Sequence, residues 1–239
     1  MVKASTLPYA LSMVPPKPKA LLAWSSGKDS AWTLHKLRQG GEVEVVGLLT
    51  TINAHFDRVA MHAVRRELLE AQARAVGLPL WPVFIPWPCP NQIYEERMSE
   101  AVRRAREAGI TRIAFGDLFL EDIRKYRVEK LAGSGIEPLF PIWCSKAATP
   151  GLAREMLAAG LRAVLTCVDP KQLDPRFAGR TYEARLLEEL PPGVDPCGEN
   201  GEFHTCCYAG PMFEHSLAVE VGAVVERDGF TFADVREVP

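Results

Sequence analysis

The sequence predicts an α/β fold with a parallel sheet, and two observations carry this prediction. Segments with the pattern of buried strands alternate with amphipathic helical segments from residue 19 onward, and such alternation is typical of parallel sheets with helices on both faces. The first strand segment, "KALLAWS", also runs directly into a short turn, "SSGKDS", that opens a helix. A strand, a tight turn and a helix N-terminus in this order form a site for an anion.

The first half of the chain supplies the alternating segments. Those with strand character are "KALLAWS", "VEVVGLLTT", "LWPVFIP" and "ITRIAFG", and Pro82 makes the third unusual. Between them, "AWTLHKLRQ" is stopped by Gly40-Gly41, and "QIYEERMSEAVRRAREAG" and "RKYRVEKLAG" are also helical. A long helix after the second strand is predicted from one apolar stripe, which consists of Met61, Val64, Leu68, Ala71 and Ala75 and is ended by Gly77. We therefore expect a Rossmann-like sheet that binds ligands at the carboxyl ends of its strands.

The pattern changes after about residue 135. The segments "PLFPIW" and "LRAVLTCVD" are predicted as strands flanking the helix "TPGLAREMLAAG", and "RTYEARLLEEL" as another helix. The last segment has the pattern of a hairpin with Asp228-Gly229 in its turn. We predict a flexible tail over 1–18, a ligand-binding domain over 19–135 and a smaller mixed α/β domain over 136–239.

Composition narrows the class of protein. The formal net charge of −2 gives no footprint for non-specific nucleic-acid binding, so nucleic acid is not an expected partner. No stretch reaches the length of a membrane span, and the first residues make a poor signal peptide. The six cysteines include no C-x-x-C pair, which favours reduced thiols in a cytoplasmic protein. The sequence leaves open whether the chain forms a homo-oligomer.

The turn "SSGKDS" is not one of the two commonest phosphate loops. A Walker A loop needs glycine where Leu22 stands and Ser or Thr where Asp29 stands, and the dinucleotide fingerprint G-x-G-x-x-G is absent. The small residues still allow a pyrophosphate to approach the backbone, Lys28 offers a point charge, and Asp29 offers a carboxylate for Mg²⁺. The turn resembles the PP-loop of the N-type ATP pyrophosphatases, S-G-G-K-D-S. Ser26 stands at a glycine position of that pattern, so a positive φ there would strain the turn.

Other segments resemble the diphthine–ammonia ligase family, which has a PP-loop. "FGDLFLEDIRKYRVEKLAGSGIEPLFPIW" is similar to its G-D-I, R-x-x-R-V-E and G-x-x-P-L-x-P-L-W elements, and "GENGEFHT" to its G-E-x-G-E-[YF]-E-T element. "MHAVRRELLEAQARAVGLPL", with His62, resembles its helix after the second strand. The similarity covers about residues 19 to 215. His204 stands where the family usually has Glu.

The resemblance implies a role for each matching residue. The nucleotide, ATP, would be held by Ser25, Ser26, Gly27, Lys28, Asp29, Ser30, Leu49, Thr50, Gly116, Asp117 and Arg127, with Asp29 also holding Mg²⁺. The acceptor would be bound by His62, Glu129, Glu199, Asn200, Gly201, His204 and Thr205. Lys28, Asp29 and Glu202 are the expected catalytic residues, and Glu202 is expected to face the loop across a cleft and to orient ammonia or accept its proton.

The implied reaction is ATP-dependent amidation. A substrate carboxylate attacks the α-phosphate, pyrophosphate leaves, and ammonia displaces AMP. The acceptor stays open between an elongation factor carrying diphthine, as in the family, and a small-molecule carboxylate.

Two other functions stay open at this point. Sulfur transfer to tRNA would use reactive cysteines such as Cys206 and Cys207, and a non-catalytic ATP- or AMP-binding module would need no acceptor site. A zinc site from Glu202, His204 and Cys206 is disfavoured by their close spacing, and His62 suits a structural role as well as a catalytic one.

Overall fold

The computed structural model describes residues 16–238 and contains two sheets. The prediction for the tail over 1–18 lies outside the described residues except at 16–18. The elements of the first half are β1 (Lys19–Ala23), α1 (Lys28–Gly40), β2 (Glu44–Asn53), β3 (Arg58–Val59), α2 (Arg66–Ala75), β4 (Leu80–Ile85), α3 (Asn91–Glu107), β5 (Arg112–Ala114), α4 (Glu121–Leu131) and β6 (Glu137–Leu139).

The first sheet is parallel apart from one short strand. Its parallel strands lie in the order β4-β2-β1-β5-β6, and β3 pairs antiparallel with the end of β2. The chain runs outward from β1 to β4 and then returns to β5 on the other side of β1. The strand order therefore reverses between β1 and β5, and ligands of such sheets bind beyond the carboxyl ends at this point. Pro82 lies in β4, an edge strand that within residues 16–238 pairs with β2 alone and so tolerates a missing N–H.

Helices cover both faces of this sheet, as predicted. Successive residues of β1 point to opposite faces, so Leu22 packs in one buried cluster with residues of α1 and α2. Its neighbour Leu21 packs in the other, with Ala101 and Ala105 of α3 and Leu131 of α4. No helix within residues 16–238 is long and apolar enough to cross a membrane.

The second sheet is antiparallel. Its elements, with two helices beside them, are α5 (Thr149–Ala158), β7 (Arg162–Val168), β8 (Thr181–Tyr182), α6 (Ala184–Glu189), β9 (Phe203–Ala209), β10 (Val219–Arg227) and β11 (Phe230–Glu237). Strand β7 pairs with β8, β9 and β11, and β11 pairs with β10. The hairpin prediction is confirmed: Asp228 and Gly229 both have positive φ, 52° and 82°, as the turns that match the twist of two strands require.

The two sheets share one core. Leu22 and Trp24 of the first half belong to the same buried cluster as Leu165 and Cys206 of the second. The backbone N–H of Cys207 in β9 donates to the carbonyl of Ser26, 2.8 Å away. Strand β9 therefore packs directly against the turn between β1 and α1.

Three element predictions need correction. Helix α2 begins at Arg66, so Met61 and Val64 of the predicted stripe lie before it. Met61 is 63% exposed in a turn, whereas Val64 is buried. The turn forms because Val59 and Val64 pair through their backbones, which a count of apolar spacing does not detect. The segment "PLFPIW" yields only the short strand β6, which pairs with β5, so the first sheet extends past residue 135. The segment "RTYEARLLEEL" divides into β8 and the short helix α6.

Candidate functional site

A cleft of about 350 Å³ lies where the strand order reverses, at the carboxyl ends of β1, β2 and β5. One wall comes from the first sheet and the other from the segment leading into β9. From the first sheet it is lined by Ser25, Lys28, Asp29, Ser30, Leu49, Thr51, His62, Phe115, Gly116, Asp117 and Arg127, and from the second half by Gly198, Glu199, Gly201, Phe203, His204 and Thr205. The turn "SSGKDS", residues 25–30, which we call the phosphate turn, thus faces the same space as much of the predicted acceptor element "GENGEFHT".

The turn before α1 is held in a strained conformation at Ser26. Its φ is 69°, in the left-handed region that favours glycine. The side chain is fully buried, its hydroxyl has no hydrogen-bond partner within residues 16–238, and its carbonyl accepts from Gln72 Nε2 at 3.1 Å. The strain expected from replacing glycine is therefore present, and Ser26 acts by shaping the turn.

The N-terminus of α1 opens on the cleft, and its N-cap residue, Gly27, has no side chain to cap the helix. Ser30 donates its hydroxyl to the carbonyl of Gly27 at 3.0 Å, and the Lys28 backbone N–H donates to Thr205 Oγ1 at 3.1 Å. The first turn of a helix carries N–H groups without intrahelical partners and a partial positive charge. This end of α1 therefore suits a phosphate.

Lys28 joins the two walls of the cleft. Its ammonium lies 2.8 Å from Asp29 Oδ2 and also donates to the carbonyl of Cys197. The rings of Tyr182 and Phe203 flank it, each centroid 5.5 Å away. Burial is the largest influence and would lower the pKa of Lys28, but the charge and hydrogen bond of Asp29, together with charge at Cys197 and Asp195, raise the pKa. Lys28 is therefore charged.

A second charged pair, Asp117 and Arg127, lies at the end of β5. Arg127 Nε is 3.4 Å from Asp117 Oδ2, and its guanidinium packs 4.8 Å from the ring of Phe115. Burial raises the pKa of Asp117, while Arg127 opposes the shift. A Cβ on Gly116 would lie 3.1 Å from the backbone of Asp29, so glycine allows β5 and α1 to approach closely.

Glu199 is the carboxylate that the second half brings into the cleft. Its Oε1 accepts from the Leu118 backbone N–H at 2.7 Å, and Oε2 has no partner among the described residues. Burial, with the nearby charges of Asp29 and Asp117, raises the pKa of Glu199 to about 7. It is therefore partly protonated near neutral pH.

Glu202 lies behind the cleft, which corrects the expectation that it faces the loop. It is only 2% exposed, and its carboxylate accepts from the Asp195 backbone N–H at 2.9 Å and from the Asn200 backbone N–H at 3.0 Å. The side chain of Asn200 donates to it as well, at 2.8 Å, so Asn200 also supports the loop and does not line the cleft. A buried carboxylate with these donors fixes the fold of residues 195–202.

Two further predicted residues lie elsewhere. Glu129 is exposed on α4, with Lys125 3.8 Å away, because the helix turns it to solvent. Thr50 points away from the cleft and is buried. The carbonyl of Leu49 accepts from the Trp24 backbone N–H at 2.8 Å, so Leu49 presents its side chain to the cleft, and Thr51 lines it in place of Thr50.

Tyr94 and Met98 of α3 line the cleft as well, and the sequence analysis did not identify them. They lie four residues apart, so both belong to one face of the helix. That apolar pair near the start of α3 was the available signal.

Two histidines lie side by side in the cleft. The ring centroids of His62 and His204 are 4.6 Å apart, and His62 Nδ1 is 2.9 Å from the carbonyl of Thr205. Burial lowers the pKa of His62 to about 4 and that of His204 to about 3, and the charge of Lys28 acts in the same direction. Both rings are therefore neutral at physiological pH.

Within residues 16–238 no group of three or more His, Cys, Asp or Glu side chains is arranged to hold a metal ion. Asp29 and Asp117 do line the cleft beside the phosphate turn. Mg²⁺ in nucleotide sites is usually held by one or two carboxylates together with phosphates and water. The residues present fit that arrangement.

The adjacent thiols of Cys206 and Cys207 do not form a reactive site. Cys206 and Cys207 are fully buried in β9 and do not line the cleft. Burial raises the pKa of Cys206 to about 12 and that of Cys207 further. Thiols in this state are poor nucleophiles, and the geometry does not favour sulfur transfer.

A parallel sheet, a phosphate turn directly after its first strand and a charged lysine at the start of the next helix define an α/β protein of the PP-loop type. Residues 18–136 match the family model described as the diphthamide synthase N-terminal domain, and residues 149–235 match that of the diphthamide synthase C-terminal domain. Proteins named diphthine–ammonia ligase from Rattus norvegicus and Homo sapiens are 26% identical over 88% of this chain and 86% of their own length. One from Danio rerio is 27% identical over 88% of this chain and 90% of its own. The chain belongs to the diphthine–ammonia ligase family, as the sequence predicts.

Proposed function

We propose that this protein is an ATP-dependent ligase that activates a carboxylate as its adenylate and amidates it with ammonia. Membership of the family supports this function. The observation that carries it is the position of Glu199, which lies in one cleft with the phosphate turn although it comes from the second half of the chain. A module that only binds a nucleotide has no need of such a carboxylate.

On this proposal the first sheet binds the nucleotide. The N-terminus of α1, Ser25, Ser30 and Lys28 hold the phosphates, and the side chains of Leu49 and Thr51 border the adenine. Arg127 offers a fork of N–H donors to a phosphate or a carboxylate. Asp29, with Asp117 nearby, offers carboxylate oxygens to Mg²⁺, which when bound neutralises charge on the phosphates.

The acceptor carboxylate attacks the α-phosphorus, pyrophosphate leaves, and ammonia then displaces AMP from the acyl carbon. The contribution of the protein is to position the reactants and to neutralise the phosphate charges. We assign Glu199 to the acceptor: in its protonated form, Oε2 donates a hydrogen bond to the acceptor carboxylate. The sequence assigns acceptance of the ammonia proton to Glu202, but Glu202 lies behind the cleft, so another residue of the cleft has to accept this proton.

The proposal is tested with purified protein, ATP and candidate carboxylates. We expect AMP and pyrophosphate to be released together only when an acceptor and ammonia are present, and mass spectrometry to find an amide. Candidate acceptors are diphthine on an elongation factor and small carboxylic acids. Nucleotide binding without turnover for all of them would contradict the proposal.

Glu199 gives the pH dependence of the same assay. Its pKa is raised, so the protonated donor is present below about pH 7 and is lost above it. We expect the KM for the acceptor to rise about tenfold for each pH unit well above 7. Glu199→Gln, a permanently neutral donor, should remove this dependence, and Glu188→Gln, an exposed control on α6, should keep it. Retention of the parent profile by Glu199→Gln would remove Glu199 from the acceptor site.

A further inference from the structure

The segment that carries His62 has an unusual backbone. Met61 and Ala63, the residues on either side, have φ of 63° and 55°, in the left-handed region although neither is glycine. Each such residue costs on the order of 1–3 kcal/mol, and the strain persists only where surrounding contacts fix the conformation. The direction of the His62 side chain is therefore imposed by the fold.

Contacts from both sheets impose it. Arg58 donates to the carbonyl of Ala63 at 2.8 Å, and Arg58 and Arg65 both pair with Asp234 of β11, at 2.9 and 2.8 Å. The Ala60 N–H donates to the carbonyl of Thr51 at 3.0 Å. The segment is thus fixed to the second sheet as well as to β2, and His62 is aimed into the cleft.

The hydrogen bond of His62 sets its tautomer. A carbonyl oxygen only accepts hydrogen bonds, so Nδ1, which lies 2.9 Å from the Thr205 carbonyl, carries the proton. In the neutral ring Nε2 then has a free lone pair. A Cβ on Gly27 would lie 2.6 Å from His62 Cε1, so the ring rests against the glycine of the phosphate turn. On the proposed function, the His62 ring therefore lies in the cleft beside the turn that binds the phosphates.

His204 lies beside His62, and together the two rings form a small surface of hydrogen-bond acceptors. His204 lines the cleft beside His62, and within residues 16–238 neither of its ring nitrogens has a hydrogen-bond partner. Two neutral rings offer acceptors to N–H groups but no positive charge to a phosphate. The positive charge of Lys28 acts against a further positive charge at these rings.

We propose that His62 and His204, which the resemblance assigns to the acceptor, instead form the ammonia site, and that His62 Nε2 takes the proton which the nitrogen loses. This inference rests on the proposed function. The nitrogen lone pair forms the C–N bond to the acyl carbon, the C–O bond to the phosphate breaks, and AMP leaves with that electron pair. The nitrogen of the addition product becomes strongly acidic as AMP departs, so its proton passes to Nε2, and the imidazolium then releases it to water.

The test separates activation from amidation. Acceptor-dependent ATP–pyrophosphate exchange, measured without ammonia, reports activation, and amide formation over a range of ammonium chloride concentrations reports the second step. In His62→Gln we expect amide formation to fall by about 10²-fold or more, and in His204→Gln we expect the KM for ammonia to rise. In both variants exchange and the KM for ATP should stay within about threefold of the parent, which also shows that they fold. His55→Gln, an exposed histidine outside the cleft, serves as the control.

Two results would overturn the ammonia site. A raised KM for ATP with an unchanged KM for ammonia would assign the pair to the phosphates, and equal losses in both steps would make it structural. Absence of exchange in the parent protein with every carboxylate would instead overturn the proposed function, and this inference with it.

Discussion

The two segments that face each other across the cleft are held in different ways. The turn before α1 is fixed through its main chain: the Ser26 carbonyl accepts from Cys207 and Gln72, and small residues fit the space. The segment 195–202 is fixed by buried carboxylates, because Asp195 and Glu202 accept from its own backbone N–H groups. A turn of the first kind depends on residue size and backbone angles, whereas a segment of the second kind depends on charge.

The largest effect is expected from removing the charge that holds the second segment. Glu202→Gln replaces one acceptor oxygen with an N–H₂ group, which then faces backbone N–H donors in a buried site. Hydrogen bonds to charged groups contribute about 1.5–3 kcal/mol each, so we expect the free energy of unfolding to fall by about 3 kcal/mol. Urea denaturation monitored by fluorescence measures it.

Glu199→Gln is the matched control, since it lies in the same segment and makes one hydrogen bond through Oε1. Its unfolding free energy should change by less than about 1 kcal/mol. Equal losses in the two variants would mean that the difference drawn between the two glutamates is incorrect.

In the turn before α1 we expect a smaller change in the free energy of unfolding, and one of opposite sign. Ser26→Gly relieves the left-handed backbone at φ 69° and removes a buried hydroxyl without a partner. We expect a gain of about 1 kcal/mol, or a rise in Tm of about 2–4 °C, measured by calorimetry. Ser26→Ala removes the hydroxyl but keeps the strain, so it should recover only part of the gain. A loss of stability in Ser26→Gly would show that the turn is not strained.

The smallest effect, here on activity, is expected from replacing the buried thiols of Cys206 and Cys207. The double variant Cys206→Ser, Cys207→Ser should keep ATP cleavage and acceptor chemistry within a few fold, because both side chains are buried and protonated. Quenched assays of AMP release measure this. If a folded double variant had no turnover, the result would instead support sulfur transfer by these cysteines.

The same difference explains what the sequence could predict. The phosphate turn, the parallel sheet and the family follow from residue type and spacing, because main-chain geometry leaves a local signature. The roles of Glu199 and Glu202 do not, since both belong to "GENGEFHT" and only the surrounding N–H groups distinguish them. Met61 fits a helical spacing but lies in a turn, because a hydrogen bond from the Val59 N–H to the Val64 carbonyl fixes that backbone. The pair of His62 and His204 joins positions far apart in the chain.

The contacts of Lys28 affect when the phosphate turn can complete its structure during synthesis. Its ammonium needs the carbonyl of Cys197, and its backbone N–H needs the hydroxyl of Thr205, so the turn made early in synthesis obtains these partners only when β9 has left the ribosome. A nascent chain that stops short of β9 holds an unfinished phosphate turn. On the proposed function, binding of ATP at this turn therefore requires β9 and the segment before it as well as the first sheet.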